Sequence, residues 1–119
     1  MAKQQDTFKK GSVEMLLLYL LQEGDLYGYQ ISQYIKERSE GILVVPEGSL
    51  YPALYRMLDK GYISDEKRQV GKRLTRVYYH LEPAGKAYLD TLLESYMRTN
   101  KGIRLVLGSI PPNLFPDNG

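Results

Sequence analysis

Two groups of side chains have the types and spacing needed to bind a partner. The first shares the solvated face of a short helical stretch and offers hydroxyl, ring and guanidinium groups: Ser49, Tyr51, Pro52, Tyr55 and Arg56. The second is a cluster of cations without an intervening acid: Lys67, Arg68, Lys72 and Arg73. Exposed rings bury their area only when a partner arrives, so the helix face is a candidate binding surface.

Catalytic chemistry is poorly represented in the chain. The single histidine, His80, lies beside aromatic residues without a serine, cysteine or metal partner, which favours a surface strand residue over a catalytic base. The sequence has no cysteine for thiolate catalysis or zinc binding. Gly71 and Gly85 are isolated, so there is no glycine-rich phosphate loop. We therefore expect no enzymatic activity, no cofactor and no metal site.

The composition indicates one small cytoplasmic domain. The chain has 119 residues, and its 16 Lys and Arg against 14 Asp and Glu give a net charge of only +2. A nucleic-acid signal must therefore come from clustering rather than from a global positive field. The absence of cysteine suits a reducing compartment. The longest apolar run, residues 15–21, is far shorter than the roughly 18 residues needed to span a bilayer, so we expect no membrane segment.

The helix that carries the first group is predicted to begin after Ser49. The Ser49 hydroxyl can cap a free N–H of the first turn, and Pro52 then occupies the third helical position, where a missing N–H costs no intrahelical bond. An apolar stripe predicts the buried side of the helix: Leu50, Leu54, Met57 and Leu58. Gly61 predicts its end.

A polar arm over residues 1–11 is predicted to precede a first helix that runs from Ser12 to about Gln22. Ser12 is the expected cap, and Glu14 is expected to complement the positive end of the helix dipole. This helix is apolar on all sides, so part of its cover is expected to come from another subunit.

Periodicity predicts the other elements. In chain order they are a helix over residues 27–39, a brief strand over 42–45, a hairpin over 62–82 with the cationic cluster at its tip, a helix over 83–107 and an extended tail over 108–119. Gly28 predicts close packing between helices. The last helix, roughly 37 Å long at 1.5 Å per residue, is too long to bury its apolar stripe on so small a domain. Its expected partner is the same helix of a second chain.

Three sequence blocks resemble the PadR family of bacterial transcriptional regulators. They are YGYQI at residues 27–31, PEGSLYPALYRMLDKGYI at residues 46–63 and RVYYHLEPAG at residues 76–85. The resemblance covers roughly residues 12–107, and Glu82 departs from it by standing where relatives usually have threonine. It implies a fold that is mainly α with a small β-hairpin, made of a winged helix-turn-helix (12–82) and a long C-terminal dimerisation helix (83–107).

The resemblance also implies a function, namely a homodimeric repressor that binds palindromic operator DNA and is released by a small aromatic or drug-like molecule. The first group of side chains fits a major groove, and the cationic cluster fits the backbone or minor groove. Alternatives remain for each group. Tyr51 and Tyr55 could fill gaps between helix and hairpin, the hairpin tip could be a solvated turn, and the whole domain could bind protein instead of DNA.

An effector would be expected between subunits, where the first and last helices meet. The candidate lining residues are Met15, Tyr19, Tyr88, Leu92 and Tyr96. Relatives that bind drugs use tryptophan to stack planar molecules, and this chain has none. The alternative is a fully packed dimer core without a cavity.

Overall fold

The computed structural model describes residues 10–108, so the predicted arm and tail lie outside it except for residues 10, 11 and 108. Within this range the elements are α1 (Lys10–Glu23), β1 (Leu26–Tyr27), α2 (Gly28–Arg38), α3 (Glu47–Asp59), β2 (Ile63–Val70), β3 (Leu74–Leu81) and α4 (Pro83–Leu107). The order confirms the predicted architecture, three helices, a hairpin and a long last helix.

Helix α1 lies at the centre of the core. Leu17 and Leu18 are both fully buried because α2, α3, α4 and β3 all pack against this helix. Burial of each leucine side chain contributes about 2 kcal/mol, and most of the apolar run is covered within one chain. The helix begins at Lys10 rather than after Ser12. Glu14 therefore lies beyond the first turn, and the prediction that it complements the helix dipole was wrong.

Helix α3 begins earlier than predicted. The Ser49 and Leu50 N–H groups both donate to the Pro46 carbonyl at 2.9 Å, so Pro46, and not Ser49, precedes the first turn. Pro46 is already extended, with φ −70° and ψ 160°, and Glu47 places a carboxylate at the positive end of the helix dipole. Pro52 consequently lies inside the helix and cannot donate to the Gly48 carbonyl. Gly48 is exposed, so water can solvate that carbonyl.

The sheet has three antiparallel strands in the order β1, β3, β2. Strands β2 and β3 form the predicted hairpin, with the 71–73 turn between them. Leu26 and Tyr27 of β1 pair with Tyr79 and Tyr78, a strand too short for its alternation to be recognised in the sequence. The strand predicted over residues 42–45 was wrong. That segment pairs with none of the three strands, and Val45 is instead buried in the helical core.

Helix α4 spans the predicted residues, Pro83–Leu107. Glu82 precedes it without capping it through its side chain, and accepts a hydrogen bond from the Ser64 hydroxyl at 2.6 Å instead. Gly85 packs against the Tyr62 carbonyl so closely that a methyl group would overlap it. The first half of α4 packs on α1 through Leu89, whereas the apolar residues of its second half are exposed.

Candidate nucleic-acid interface

Three residues on one side of α3 face solvent. Ser49, Pro52 and Tyr55 recur every third position and are exposed, with 59% of Tyr55 accessible. The opposite side is buried through Leu50, Ala53, Leu54 and Met57, which fixes the orientation of the helix. The exposed side therefore presents a hydroxyl, a proline ring and a phenol to a partner.

Tyr51 has a different environment from Tyr55. Its ring is partly buried and lies over Gly28 of α2, so the close packing predicted at Gly28 is confirmed. Burial raises the pKa of Tyr51, and its ring centroid is 6.2 Å from that of Tyr55. Nearby Tyr79 of β3 is buried more deeply, which raises its pKa to about 12. Tyr51 therefore fills space between α3 and α2 while it supports the exposed ring of Tyr55.

Arg56 points toward α1 and α4. Its Nε donates to Glu14 Oε2 at 2.8 Å, and the Tyr88 hydroxyl donates to Glu14 Oε1 at 3.1 Å. Glu14 is only 6% exposed, so its charge is compensated by these two donors from α3 and α4. Arg56 was expected on the binding face. Glu14 directly precedes the apolar run of α1, and a carboxylate in that position was the available signal that a cation must approach from elsewhere.

The cationic cluster divides into two kinds of residue. Among residues 10–108 no carboxylate lies within ion-pair distance of Lys67, Lys72 or Arg73, and all three are exposed. Arg68 instead donates to Asp25 Oδ2 at 2.8 Å and to Glu66 Oε1 at 3.3 Å. The alternation of β2 directs Lys67 and Arg68 to opposite faces of the hairpin.

The outer face of the sheet carries a row of stacked cations and rings. The Arg68 guanidinium lies 4.4 Å from the centroid of Tyr78, and that of Arg76 lies 4.3 Å from the centroid of Tyr27. The two tyrosines meet edge to face with centroids 5.4 Å apart. Tyr27, Tyr78 and Asp25 were not among the functional residues predicted from the sequence. The alternation of Arg76, Tyr78 and His80 along β3 was the signal that they share a face.

His80 is exposed on β3, as predicted for a surface strand residue. Its Nδ1 lies 2.7 Å from Asp25 Oδ1. The hydrogen bond to Asp25 raises the pKa of His80, and the same bond, together with Arg68, lowers the pKa of Asp25. Asp25 therefore remains an anion that contacts both strands of the hairpin.

The grooves described over residues 10–108 do not bring the five predicted effector residues together. Tyr19 borders a groove of about 260 Å³ between α1 and α2 that also includes Tyr34 and Leu43. The Tyr88 hydroxyl donates a hydrogen bond to Glu14, and the Tyr88 ring stacks on that of Tyr62 with ring centroids 4.5 Å apart. Met15 and Leu92 are partly buried, and Tyr96 is exposed.

A helical core whose third helix presents polar groups, followed by a hairpin with a basic tip, defines a winged helix-turn-helix protein. Residues 17–91 match the family model described as the transcriptional regulator PadR-like family. The chain belongs to this family, which confirms the resemblance seen in the sequence. Members of the family are transcriptional regulators and not enzymes.

Several solved or curated proteins are similar to the chain. A transcriptional regulator from Clostridium thermocellum superimposes with a TM-score of 0.77 at 34% identity, covering 83% of this chain and 96% of the other. The negative transcriptional regulator PadR of Bacillus subtilis is 33% identical over 77 residues, which is 65% of this chain but 42% of that protein. The B. subtilis PadR complex with operator DNA matches with a TM-score of 0.63 at 31% identity, over 68% of this chain and 46% of that one. Within the described residues, no helix has both the length and the hydropathy to cross a membrane.

Proposed function

We propose that the protein binds palindromic operator DNA as a homodimer, with α3 in the major groove of each half-site. The observation that carries the proposal is the combination of an exposed hydroxyl and ring face on α3 with hairpin cations that have no carboxylate partner among residues 10–108. Recognition helices of this kind read base edges, while cations contact phosphates. The operator complex of B. subtilis PadR supports the proposal by similarity.

The proposed contacts divide by chemistry. Ser49 and Tyr55 hydroxyls can donate to and accept from base edges, and the Pro52 and Tyr55 rings can pack on thymine methyl groups. Lys67, Lys72 and Arg73 contact phosphates along the backbone or minor groove, which gives affinity that falls with salt. Tyr51 and Arg56 contribute mainly by holding α3, because Tyr51 is partly buried and Arg56 is bonded to Glu14.

The homodimer is supported by apolar surface that one chain leaves uncovered. On α4 the exposed residues include Tyr96, Met97, Ile103, Leu105, Val106 and Leu107. An apolar surface of this extent is typical of a protein interface. We infer that α4 packs against α4 and α1 of a second copy, around a two-fold axis. The two α3 helices would then enter major grooves about one helical turn, roughly 34 Å, apart.

Repression with release by an aromatic or hydrophobic effector completes the proposal. The B. subtilis relative is a negative transcriptional regulator, and this similarity supports repression. The effector site is expected between the subunits and would include Met15, Tyr19, Tyr88, Leu92 and Tyr96, with the groove of about 260 Å³ beside Tyr19 as part of one subunit's contribution. Release of a bound operator by planar aromatic compounds, lost in Tyr19→Ala, is the expected result.

A fluorescence-anisotropy titration tests operator binding. The purified protein is titrated against the DNA upstream of its own gene and against a scrambled duplex at several salt concentrations. Tight binding to the native duplex alone, saturating at two chains per site, is expected. Weak and equal binding to upstream fragments and scrambled duplex would instead favour the alternative, a winged-helix module that binds protein.

Charge reversal of the hairpin tip separates DNA from protein partners. Lys72→Glu with Arg73→Glu is expected to lower operator affinity and to flatten its salt dependence, because each phosphate contact releases counterions. Lys36→Glu with Lys101→Glu, at exposed positions of α2 and α4, changes the net charge by the same amount and serves as the control. A salt dependence that stays the same in the tip variant would contradict phosphate contact.

A further inference from the structure

Asp25 connects the hairpin to the helical core. It lies between α1 and β1, outside the hairpin, and its side chain is 30% exposed. One carboxylate oxygen accepts from Arg68 of β2 at 2.8 Å, and the other lies 2.7 Å from His80 Nδ1 of β3. A single residue thus contacts both strands of the wing, which we define as β2, β3 and the 71–73 turn.

Stacking extends these contacts to the start of α2. Arg68 stacks on Tyr78, Tyr78 meets Tyr27 edge to face, and Arg76 lies over the ring of Tyr27. Tyr27 is the residue that precedes the first turn of α2. Because β1 pairs only two residues with β3, side-chain contacts on this face add to the burial of Ile63 and Tyr79 in holding the wing against the core.

Asp25 also has an electrostatic effect on DNA binding, which would weaken affinity rather than strengthen it. A carboxylate near a surface that approaches DNA repels phosphate, so its removal alone would tighten binding. A carboxylate that fixes the wing strengthens binding by limiting the conformations that must be ordered on association. The two effects predict opposite results for one substitution.

We propose that Asp25 is a positioning residue for operator recognition, which fixes the wing through Arg68 and His80. Arg68 acts through Asp25, and the phosphate contacts come from Lys67, Lys72 and Arg73. This inference rests on the DNA-binding function proposed above, and it names a residue with no direct contact to DNA as a determinant of affinity.

The first test is Asp25→Asn, which is nearly isosteric. Operator affinity is expected to fall about fivefold, the order of one partly exposed ion pair, although the protein loses a negative charge. Glu23→Gln is the matched control, because Glu23 lies two residues away and pairs with Arg38 of α2 instead of the wing. Equal or tighter binding by Asp25→Asn would overturn the proposal, whereas Asp25→Glu, which keeps the carboxylate, is expected to restore part of the affinity.

Hydrogen exchange without DNA keeps this test separate from the proposed function. Amides of β2 and β3 are expected to exchange faster in Asp25→Asn than in the wild type and to be unchanged in Glu23→Gln. Unchanged exchange in Asp25→Asn would overturn the inference even if the operator is bound. Failure of the wild type to bind any DNA, with faster exchange in the variant, would overturn the DNA function while the contact of Asp25 with the wing stands.

The pH profile separates positioning from general structural damage. The charged groups around His80 are Asp25 from the α1–β1 connection, Arg68 from β2, Glu82 before α4, and Glu23 and Lys86 at the same cleft. Arg68 stays charged between about pH 5.5 and about pH 8.5 and keeps its contact with Asp25 when His80 loses its proton, so wild-type affinity should fall only slightly as pH rises. In Arg68→Gln the wing depends on protonated His80, and affinity should fall as pH rises.

Two further variants complete the test. Asp25→Asn combined with Arg68→Gln is expected to lose the extra pH dependence, because His80 then has no carboxylate at Asp25. Lys67→Gln is expected to reduce the salt slope by about two for a dimer, whereas Arg68→Gln is expected to lower affinity with little change in slope. Identical pH profiles for wild type and Arg68→Gln, or an equal slope reduction in both single variants, would overturn the proposal.

Discussion

At the scale of single residues, the buried carboxylate of Glu14 is the charge that the fold must compensate most strictly. Arg56 from α3 and Tyr88 from α4 both donate to it, so three helices meet at one anion. Burial and the neighbouring Glu14 raise the pKa of Tyr88, which keeps its hydroxyl a donor. Arg56 and Glu14 are 42 positions apart in the sequence, and no local pattern could have paired them.

Glu14→Gln is expected to lower the free energy of unfolding by about 2 kcal/mol, because Arg56 loses its anion in a partly buried site. Tyr88→Phe, which removes one neutral donor, should cost about 1 kcal/mol. Chemical denaturation of both variants at the same pH gives the comparison. If Glu14→Gln were as stable as the wild type, the ion pair would not be a net stabilising contact.

His80 offers a direct measurement of pH dependence, because it is the only histidine in the sequence. Its pKa is raised by Asp25, so its stabilising contribution is fully present below the ordinary pKa of about 6.5 and is lost as pH rises through the higher folded value. Asp25 has a lowered pKa, so its contribution is lost as pH falls through that lower value. NMR titration should place His80 above its ordinary pKa and return it toward that value in Asp25→Asn. An identical midpoint in both proteins would contradict the contact.

At the scale of elements, close contacts at glycines set how helices meet. Gly85 of α4 faces the Tyr62 carbonyl, which cannot easily move because it also accepts the Glu82 N–H at 3.0 Å. Gly28 of α2 faces only the end of the Tyr51 side chain, which can rotate. Gly48 of α3 has no neighbour within 4 Å.

The same added methyl group should therefore have graded effects. Gly85→Ala is expected to destabilise the protein by about 3 kcal/mol, and Gly28→Ala by about 1 kcal/mol through displacement of Tyr51. Gly48→Ala should be neutral or slightly stabilising, by up to about 0.5 kcal/mol, since alanine favours a helix. Thermal or chemical unfolding of the three variants gives the ranking, and equal losses at all three positions would show that backbone propensity rather than contact decides.

The sequence predicted the elements with strong periodicity and missed those decided by tertiary contacts. Helix α4 was predicted from Pro83 to Leu107, whereas the two-residue β1 is defined only by its pairing with β3. The prediction that Ser49 caps α3 was wrong, because the Pro46 carbonyl accepts the first hydrogen bonds of the helix. The exposure of Tyr55 and Lys72 was predicted from their spacing in the sequence. Arg68 was not distinguished from its neighbours, because its partner Asp25 lies 43 positions away.

At the scale of the whole molecule, the second half of α4 has no cover within the described chain. Val106 is 86% exposed, and Ile103 and Leu107 lie near it on the same helix. The core forms within one chain, whereas the apolar surface at the end of α4 is left uncovered. We therefore expect that a chain can fold without forming the dimer. The proposed dimer can therefore be broken without unfolding the domain.

Val106→Glu is expected to shift the protein from dimer to monomer in analytical ultracentrifugation while its helical circular dichroism remains. Operator affinity should fall at least tenfold, because two linked half-sites bind far more tightly than one. Lys101→Glu introduces a carboxylate on a different side of α4 and should leave the dimer intact. A Val106→Glu variant that remains dimeric would contradict the proposed interface.

Because α4 is long, a small change of its angle at the contact between Gly85 and Tyr62 moves its far end by several ångströms. Gly85 lies at the start of a helix of 25 residues whose far end reaches the exposed apolar residues. A helix of this length rises roughly 37 Å, so a tilt of about 10° at its base displaces its far end by about 6 Å. In the proposed dimer, the angle of α4 at Gly85 thus limits how accurately the two copies can be spaced. A regulator with such a helix would discriminate between operators by the distance between their half-sites.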